Sequence, residues 1–168
     1  NSSDSSPTVM QCTFLYNWAR HGGAINSYGD CVPHIEQSVF EYNAADSYGG
    51  AVNNQYYSDV ELRHCRFIGN ASPAGGAVYN DQSDLKMTNC VATGNIAPAE
   101  YGGLGGAVYN NGDANDVSIL NCTMVDNIAV DNGGAAFYNE SGNPAIQNSI
   151  LWNGNESGSP AINVQSGD

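Results

Sequence analysis

Apolar and polar residues alternate over short segments along the whole chain, with no sustained helical period. One apolar residue recurs at an equivalent point of each of several repeats, and an apolar residue or proline stands two positions before it. The recurring residues are Val9, Ile35, Leu62, Met87, Ile119 and Ile146, preceded by Pro7, Pro33, Val60, Leu85, Val117 and Pro144. Alternation with a period of two is typical of a strand with one buried face. The pattern predicts one short strand per repeat.

A second strand is predicted directly after the first. Three residues beyond each apolar position stands a Cys or Ser, and two residues further comes another mostly large apolar residue. These pairs are Cys12/Phe14, Ser38/Phe40, Cys65/Phe67, Cys90/Ala92, Cys122/Met124 and Ser149/Leu151. The shift of phase predicts a bend at pairs such as Arg63-His64, Thr88-Asn89 and Leu120-Asn121, where Asn tolerates a left-handed backbone.

A third strand is predicted from the phrase GGAVYN, which occurs at Gly75 to Asn80 and again at Gly105 to Asn110. Weaker copies begin at Gly22, Gly49, Gly134 and Ser159. The paired glycines indicate a corner that a side chain would obstruct.

These three strands and their corners predict one coil of an all-β, single-stranded parallel β-helix. The Cys/Ser position recurs after 26, 27, 25, 32 and 27 residues, and the long interval contains an insertion near residues 99–104. We expect a single domain over residues 1–168, with an extension at 1–6 and about six coils of 25–32 residues in 7–168. A helical solenoid is the alternative, but Gly and Asn interrupt every stretch long enough for a helix.

The repeats resemble those of the chlamydial polymorphic outer-membrane proteins and related bacterial surface proteins. The matching residues are the FxxN motifs Phe14–Asn17, Phe40–Asn43 and Phe67–Asn70, together with the GGAVYN phrases. The resemblance implies a right-handed β-helix, surface display or secretion, and a role in adhesion or cell-surface architecture. It implies no catalytic residues.

Two columns of asparagine recur at coil corners, and stacked amides can hydrogen-bond to their copies and to corner backbone. The first contains Asn17, Asn43, Asn70, Asn95 and Asn127, and the second contains Asn54, Asn80, Asn110 and Asn139. We interpret both as structural ladders, with a glycan-reading surface as the alternative. Because inward asparagines cannot carry sugar, the candidate N-glycosylation sites among the sequons are Asn1, Asn121 and Asn155.

Four of the five cysteines, Cys12, Cys65, Cys90 and Cys122, share one repeat position, and we expect Cys65, Cys90 and Cys122 to face the interior on three successive coils. Parallel stacked side chains seldom have disulfide torsions, so we expect free thiols there. Cys31 lies at a corner, and a bridge between Cys12 and Cys31 is a hypothesis for the first coils.

Asp59, Asp84 and Asp116 stand directly before the first strand of successive coils. Stacked carboxylates either splay into water as turn residues or share a cation, for which calcium is the candidate. No other cofactor is expected.

The charge balance limits the partners. With 17 acidic residues against 4 basic ones the net charge is −13, which disfavours nucleic acid, and no apolar run is long enough for a membrane span. The histidines and basic residues are interpreted as standing at different repeat positions, so no catalytic group is expected. A polysaccharide lyase or hydrolase using Glu36, Glu41 and Glu61 is the less favoured alternative.

We therefore predict an extracellular or cell-surface structural module that stacks end to end on itself, as a fibre or as part of a longer rod. The closing phrase Gln165–Asp168 resembles Ser141–Asn143, and Ser6–Val9 reads as its continuation. The alternative is an adhesin that binds cell-surface glycans or proteins through Tyr48, Tyr56, Tyr57, Tyr101 and Trp152. The missing initiator Met indicates a mature product or an excised segment.

Overall fold

The computed structural model describes residues 4–98, 102–112, 116–130, 133–153 and 159–165. Within these residues the chain forms 22 short strands, most of them in three parallel sheets of six strands each. Asn1, Tyr101, Asn155, residues 99–101 of the insertion near 99–104 and the end of the closing phrase lie outside the described residues.

Each sheet collects one strand from every coil. Sheet 1 contains β1 (Thr8–Met10), β5 (His34–Glu36), β9 (Val60–Arg63), β12 (Leu85–Thr88), β16 (Val117–Leu120) and β20 (Ala145–Gln147). Sheet 2 contains β2 (Thr13–Leu15), β6 (Val39–Glu41), β10 (Arg66–Ile68), β13 (Val91–Thr93), β17 (Thr123–Val125) and β21 (Ile150–Trp152). Sheet 3 contains β4 (Ile25–Tyr28), β8 (Val52–Gln55), β11 (Val78–Asp81), β15 (Val108–Asn111), β19 (Phe137–Asn139) and β22 (Ile162–Val164).

The register confirms the predicted stacking of equivalent residues. Ile35 pairs with Leu62, and Leu62 pairs with Met87, along sheet 1. Asn54, Asn80 and Asn110 pair in the same way along sheet 3. The molecule is therefore a parallel β-helix, in which five turns separate β1 from β20.

A fourth column of strands was not predicted. It follows sheet 2 and consists of β3 (Trp18–His21) paired with β7 (Ala44–Tyr48), and β14 (Ile96–Ala97) paired with β18 (Ile128–Ala129). Single bridges at Ala71 join the two pairs, so the column runs through five coils.

The interior consists of stacked columns of apolar side chains. Phe14, Phe40 and Phe67 stack face to face with ring centroids 4.9 Å apart at each step. Cys65, Cys90 and Cys122 are buried in the same core. They lie in one row along the axis, because the carbonyl oxygens of Cys65 and Cys90 each accept a hydrogen bond from a backbone N–H of the next coil. Burial of these apolar faces is the main stabilising contribution, since one coil cannot cover its own face.

The corner between sheets 1 and 2 has a left-handed residue in every coil, as predicted. These residues are Gln11, Gln37, His64, Asn89, Asn121 and Asn148, with φ between 49° and 55°. Among the described residues, no helix has the length and apolarity needed to cross a bilayer.

Candidate functional site

The first asparagine column is a continuous ladder. Nδ2 of each residue donates to Oδ1 of the next, at 2.8 Å from Asn17 to Asn43, 3.0 Å from Asn43 to Asn70, and 2.9 Å for the two following steps. The backbone N–H of each donor residue also donates to that same oxygen, so the corner amides are satisfied inside the ladder.

The second asparagine column has the same direction. Nδ2 of Asn54 donates to Oδ1 of Asn80 at 2.6 Å, and the next two steps, to Asn110 and Asn139, each measure 2.8 Å. Asn70 and Asn139 are fully buried, so their sequons are closed to glycosylation, whereas Asn121 is exposed at a corner.

All five cysteines are free thiols, so the Cys12–Cys31 bridge is not formed. The two residues have different local partners, because Cys12 Sγ contacts the Met10 carbonyl oxygen while Cys31 Sγ contacts Gly29 O and Ser5 Oγ. Cys12 is exposed and Cys31 is buried at its corner. Cys65, Cys90 and Cys122 fill a narrow core slot, as expected for small buried side chains.

The aspartates before sheet 1 interact along their column. Asp84 Oδ1 accepts from the Asp116 backbone N–H at 2.9 Å. Partial burial raises the pKa of the Asp59 carboxyl, and the neighbouring Asp84 raises it further. The described part of the chain holds no group of three or more His, Cys, Asp or Glu side chains placed to bind a metal ion.

Charged side chains converge on the outer face of sheet 1, contrary to the expectation that they stand at unrelated repeat positions. His34 pairs with Glu61 and Glu61 with Lys86 along one outward column, while Glu36 pairs with Arg63 along the adjacent one. Acidic side chains therefore alternate with basic or histidine side chains along and across the strands. The overlooked signal is that His34, Glu61 and Lys86 each directly precede a core residue of the first column.

The centre of this charged face is Glu61. Its carboxylate accepts from Arg63 at 2.5 Å and contacts His34 Nδ1 at 2.8 Å, and the Arg63 hydrogen bond lowers the pKa of Glu61. Glu36 lies 3.9 Å from His64 Nδ1, whereas Glu41 lies on sheet 2. Glu36, Glu41 and Glu61 are therefore not one acidic group. The face carries a shallow depression of 280 Å³ around His34, Glu36, Glu61 and Arg63.

Exposed aromatic rings lie mainly on the early coils. Tyr56, Tyr57 and Trp152 are exposed as expected. Tyr48 is also exposed, but its ring is stacked between His21 at 5.3 Å and Tyr79 at 4.5 Å, so both ring faces are covered. Sequence reasoning missed Trp18, which is 70% exposed and begins β3 in the fourth column of strands.

The first coil presents an open end of the core. Within the described residues no strand pairs with the outer edges of β1, β2, β3 and β4, or with those of β20, β21 and β22 at the other end. Val9, Phe14 and Ile25 are only partly buried and line an apolar slot of 220 Å³.

Comparison with known proteins agrees with this architecture. Part of the chain is similar to the probable autotransporter YfaL of Escherichia coli strain K12, with 38% identity over 69 residues, which is 38% of this chain and 5% of that protein. The chain thus spans only a small share of its relative's length. No solved structure matches the chain. Residues 1–167 match the family described as right-handed β-helix region, and the chain belongs to that family.

Proposed function

We propose that this chain is a surface-displayed or secreted structural module whose terminal coils stack end to end on those of another module. The observation that carries the proposal is the open end of the first coil, with its apolar slot beside unpaired strand edges. In a longer chain the same edges suit neighbouring coils of that chain, so the module serves a fibre or a rod equally well.

The apolar slot favours another coil as its occupant. Phe14 stacks on Phe40 at 4.9 Å, and the same spacing would seat one more ring on its outer face. The exposed edge also offers backbone groups that a parallel strand would pair with, as in β-augmentation. Apolar contact and backbone pairing therefore favour the same ligand, a coil of similar sequence.

The asparagine ladder gives the stacking a direction. Each Oδ1 in the ladder accepts from the coil before it, and Asn17 Oδ1 has no donor among the described residues. A preceding coil with an asparagine at this corner would donate to it. Because donors face one end and acceptors the other, two modules match head to tail, and such contacts propagate instead of closing.

Surface location is supported by the kind of relative found. The similarity is to a probable autotransporter, although it covers only 5% of that protein. End-to-end stacking is therefore argued from this module's own structure, whereas its extracellular display is argued from this partial similarity.

The test measures assembly as a function of protein concentration, using light scattering and negative-stain electron microscopy. The mass of the wild-type particles should increase with concentration as rods form, because assembly buries the partly exposed apolar side chains of Val9 and Phe14. Val9→Lys should remain monomeric, since the ammonium group would lie in the apolar slot. Met10→Lys is the matched control, because Met10 is the next residue, faces outward and is 50% exposed.

Val9→Lys keeps the opposite end intact, so small amounts should shorten wild-type rods by capping them. Circular dichroism and the melting temperature establish that both variants are folded. A wild-type protein that stays a monodisperse monomer at high concentration, or a Val9→Lys variant that assembles normally, contradicts self-stacking.

A further inference from the structure

A groove crosses the fourth column of strands, because in this column a large residue on the first coil is followed by small residues on the next two coils. Trp18 pairs with Ala44, a bridge links Ala44 to Ala71, and the next bridge reaches Ile96. At about 4.8 Å per coil, Trp18 and Ile96 are about 14 Å apart along the axis, with two alanines between them. The resulting trough measures 540 Å³ and has Trp18 and Pro98 among its lining residues.

The groove continues past Asp46. A second depression of 370 Å³ shares Asp46 and Pro73 with the first and adds Tyr48 and Ala74. Since the ring faces of Tyr48 are covered by His21 and Tyr79, this residue offers its edge and hydroxyl. The free aromatic face in the groove belongs to Trp18.

Trp18 is held in a fixed orientation. Its indole Nε1–H donates to Asp46 Oδ1 at 3.0 Å, while 70% of the residue remains exposed. An aromatic face that is both oriented and solvent-exposed is a ready stacking surface, and the carboxylate at its edge still has lone pairs to accept further hydrogen bonds.

We propose that this groove binds a neutral saccharide, with a pyranose ring stacked on Trp18 and its hydroxyls donating to Asp46. The apolar face of a sugar ring suits the indole, and its hydroxyls suit a carboxylate that is hydrogen-bonded to the indole Nε1–H. Small side chains at Ala44, Ala45 and Ala71 leave room for the rings. The groove runs along the side of several coils, and at its Trp18 end it borders the outer edge of the first coil, which end-to-end stacking would use.

The charge of the lining residues favours a neutral saccharide over charged ligands. None of the described residues lining either depression is cationic, so the groove offers nothing to neutralise a phosphate or an acidic sugar. A lysine-rich peptide is the main competitor because the chain has a net charge of −13. Among the described lining residues Asp46 is the single carboxylate, and it already accepts from the indole, which favours a neutral ligand.

The chain has two tryptophans, which makes the test specific. Trp152→Phe leaves Trp18 as the sole indole, and Trp18→Phe leaves Trp152, which lines neither depression. Each protein is screened on an array of neutral glycans and titrated with maltohexaose, cellohexaose and chitohexaose while tryptophan emission is recorded. We expect saturable quenching or a blue shift with at least one neutral glycan in Trp152→Phe, and no change in Trp18→Phe.

A variant that fills the groove tests its position. In the Trp152→Phe background, Ala71→Leu should weaken binding at least tenfold, because the added side chain occupies the floor of the trough. Ala145→Leu makes the same change at an exposed site on β20 and should bind normally. The proposal is overturned if no neutral glycan binds, if Ala71→Leu binds as well as its control, or if hexalysine alone perturbs Trp18.

Discussion

Asn70 shows how one amide side chain joins three coils. Its Nδ2 donates to Phe40 O on the preceding coil and to Asn95 Oδ1 on the following coil, each at 2.9 Å. Its Oδ1 accepts from both the backbone N–H and Nδ2 of Asn43. Asn70 is fully buried, so water cannot replace any of these partners.

Replacing Asn70 with alanine should therefore be strongly destabilising. The change leaves the Asn43 backbone N–H and the Phe40 carbonyl buried without their side-chain partner, at a cost of about 1–3 kcal/mol for each group left unsatisfied. We expect urea unfolding to show a loss of several kcal/mol in Asn70→Ala. Thr93→Ala, on the outward face of a neighbouring strand, should change stability by less than about 0.5 kcal/mol. Equal stabilities of the two variants would mean that the ladder contributes nothing.

At the scale of elements, the three sheets were predictable because each has a column of alike residues. The apolar column from Val9 to Ile146 defined sheet 1, and the Cys/Ser column defined sheet 2. The fourth column was missed because Trp18, Ala44 and Ile96 share neither size nor polarity. A position without a repeated residue type gives no signal in one sequence.

The candidate sites were less predictable for the same reason. The groove depends on a difference between coils, large at Trp18 and small at Ala44 and Ala71, so repeat matching overlooks it. The charged face could have been found by examining the residues directly before the core column. The sequence could not predict that Cys12 and Cys31 are free thiols, because their spacing along the chain does not give their local contacts.

Glycine corners illustrate a constraint that acts on a whole element. A Cβ on Gly76 would lie 2.1 Å from the backbone oxygen of Gly106 on the next coil and 2.7 Å from that of Ile96. Backbone atoms cannot retreat without separating the strands of sheet 3. Gly94 differs, since its φ is +65° but a Cβ there would meet its nearest atom at 3.9 Å.

The same substitution at these two glycines should separate steric overlap from backbone strain. Gly94→Ala should lower the free energy of unfolding by about 1–2 kcal/mol, the cost of a left-handed L-residue. Gly76→Ala should lower it considerably more, because coil spacing must change as well. Urea unfolding followed by circular dichroism measures both. Similar losses at the two sites would show that the coils can move apart easily.

At the scale of the whole molecule, acidity and buried tyrosines set the response to pH. A tyrosine stack runs along the axis outside sheet 3, with ring centroids 4.7 Å apart from Tyr79 to Tyr109 and 5.5 Å apart from Tyr109 to Tyr138. Ala74 and Leu104 cover it. Burial raises the pKa of all three hydroxyls, and the Tyr109 hydroxyl also donates to Glu140.

This stack predicts loss of stability in alkali. Above the ordinary tyrosine pKa of 10.0 the unfolded chain releases protons that folded Tyr79 retains. The free energy of unfolding therefore falls as pH rises, by up to about 1.4 kcal/mol per pH unit for each such tyrosine. Each tyrosinate formed also adds to a net charge that is already −13 at pH 7.

Tyr79→Phe isolates this effect because it keeps the stacked ring and removes the ionisable hydroxyl. Urea unfolding between pH 8 and pH 11 should show a shallower fall in stability above pH 10 than in the wild-type protein, by about 1.4 kcal/mol per pH unit. Tyr57→Phe, at a residue that is 70% exposed, should leave the slope unchanged. If both variants have the wild-type slope, alkaline unfolding does not depend on the buried stack, and general repulsion between charges remains as its cause.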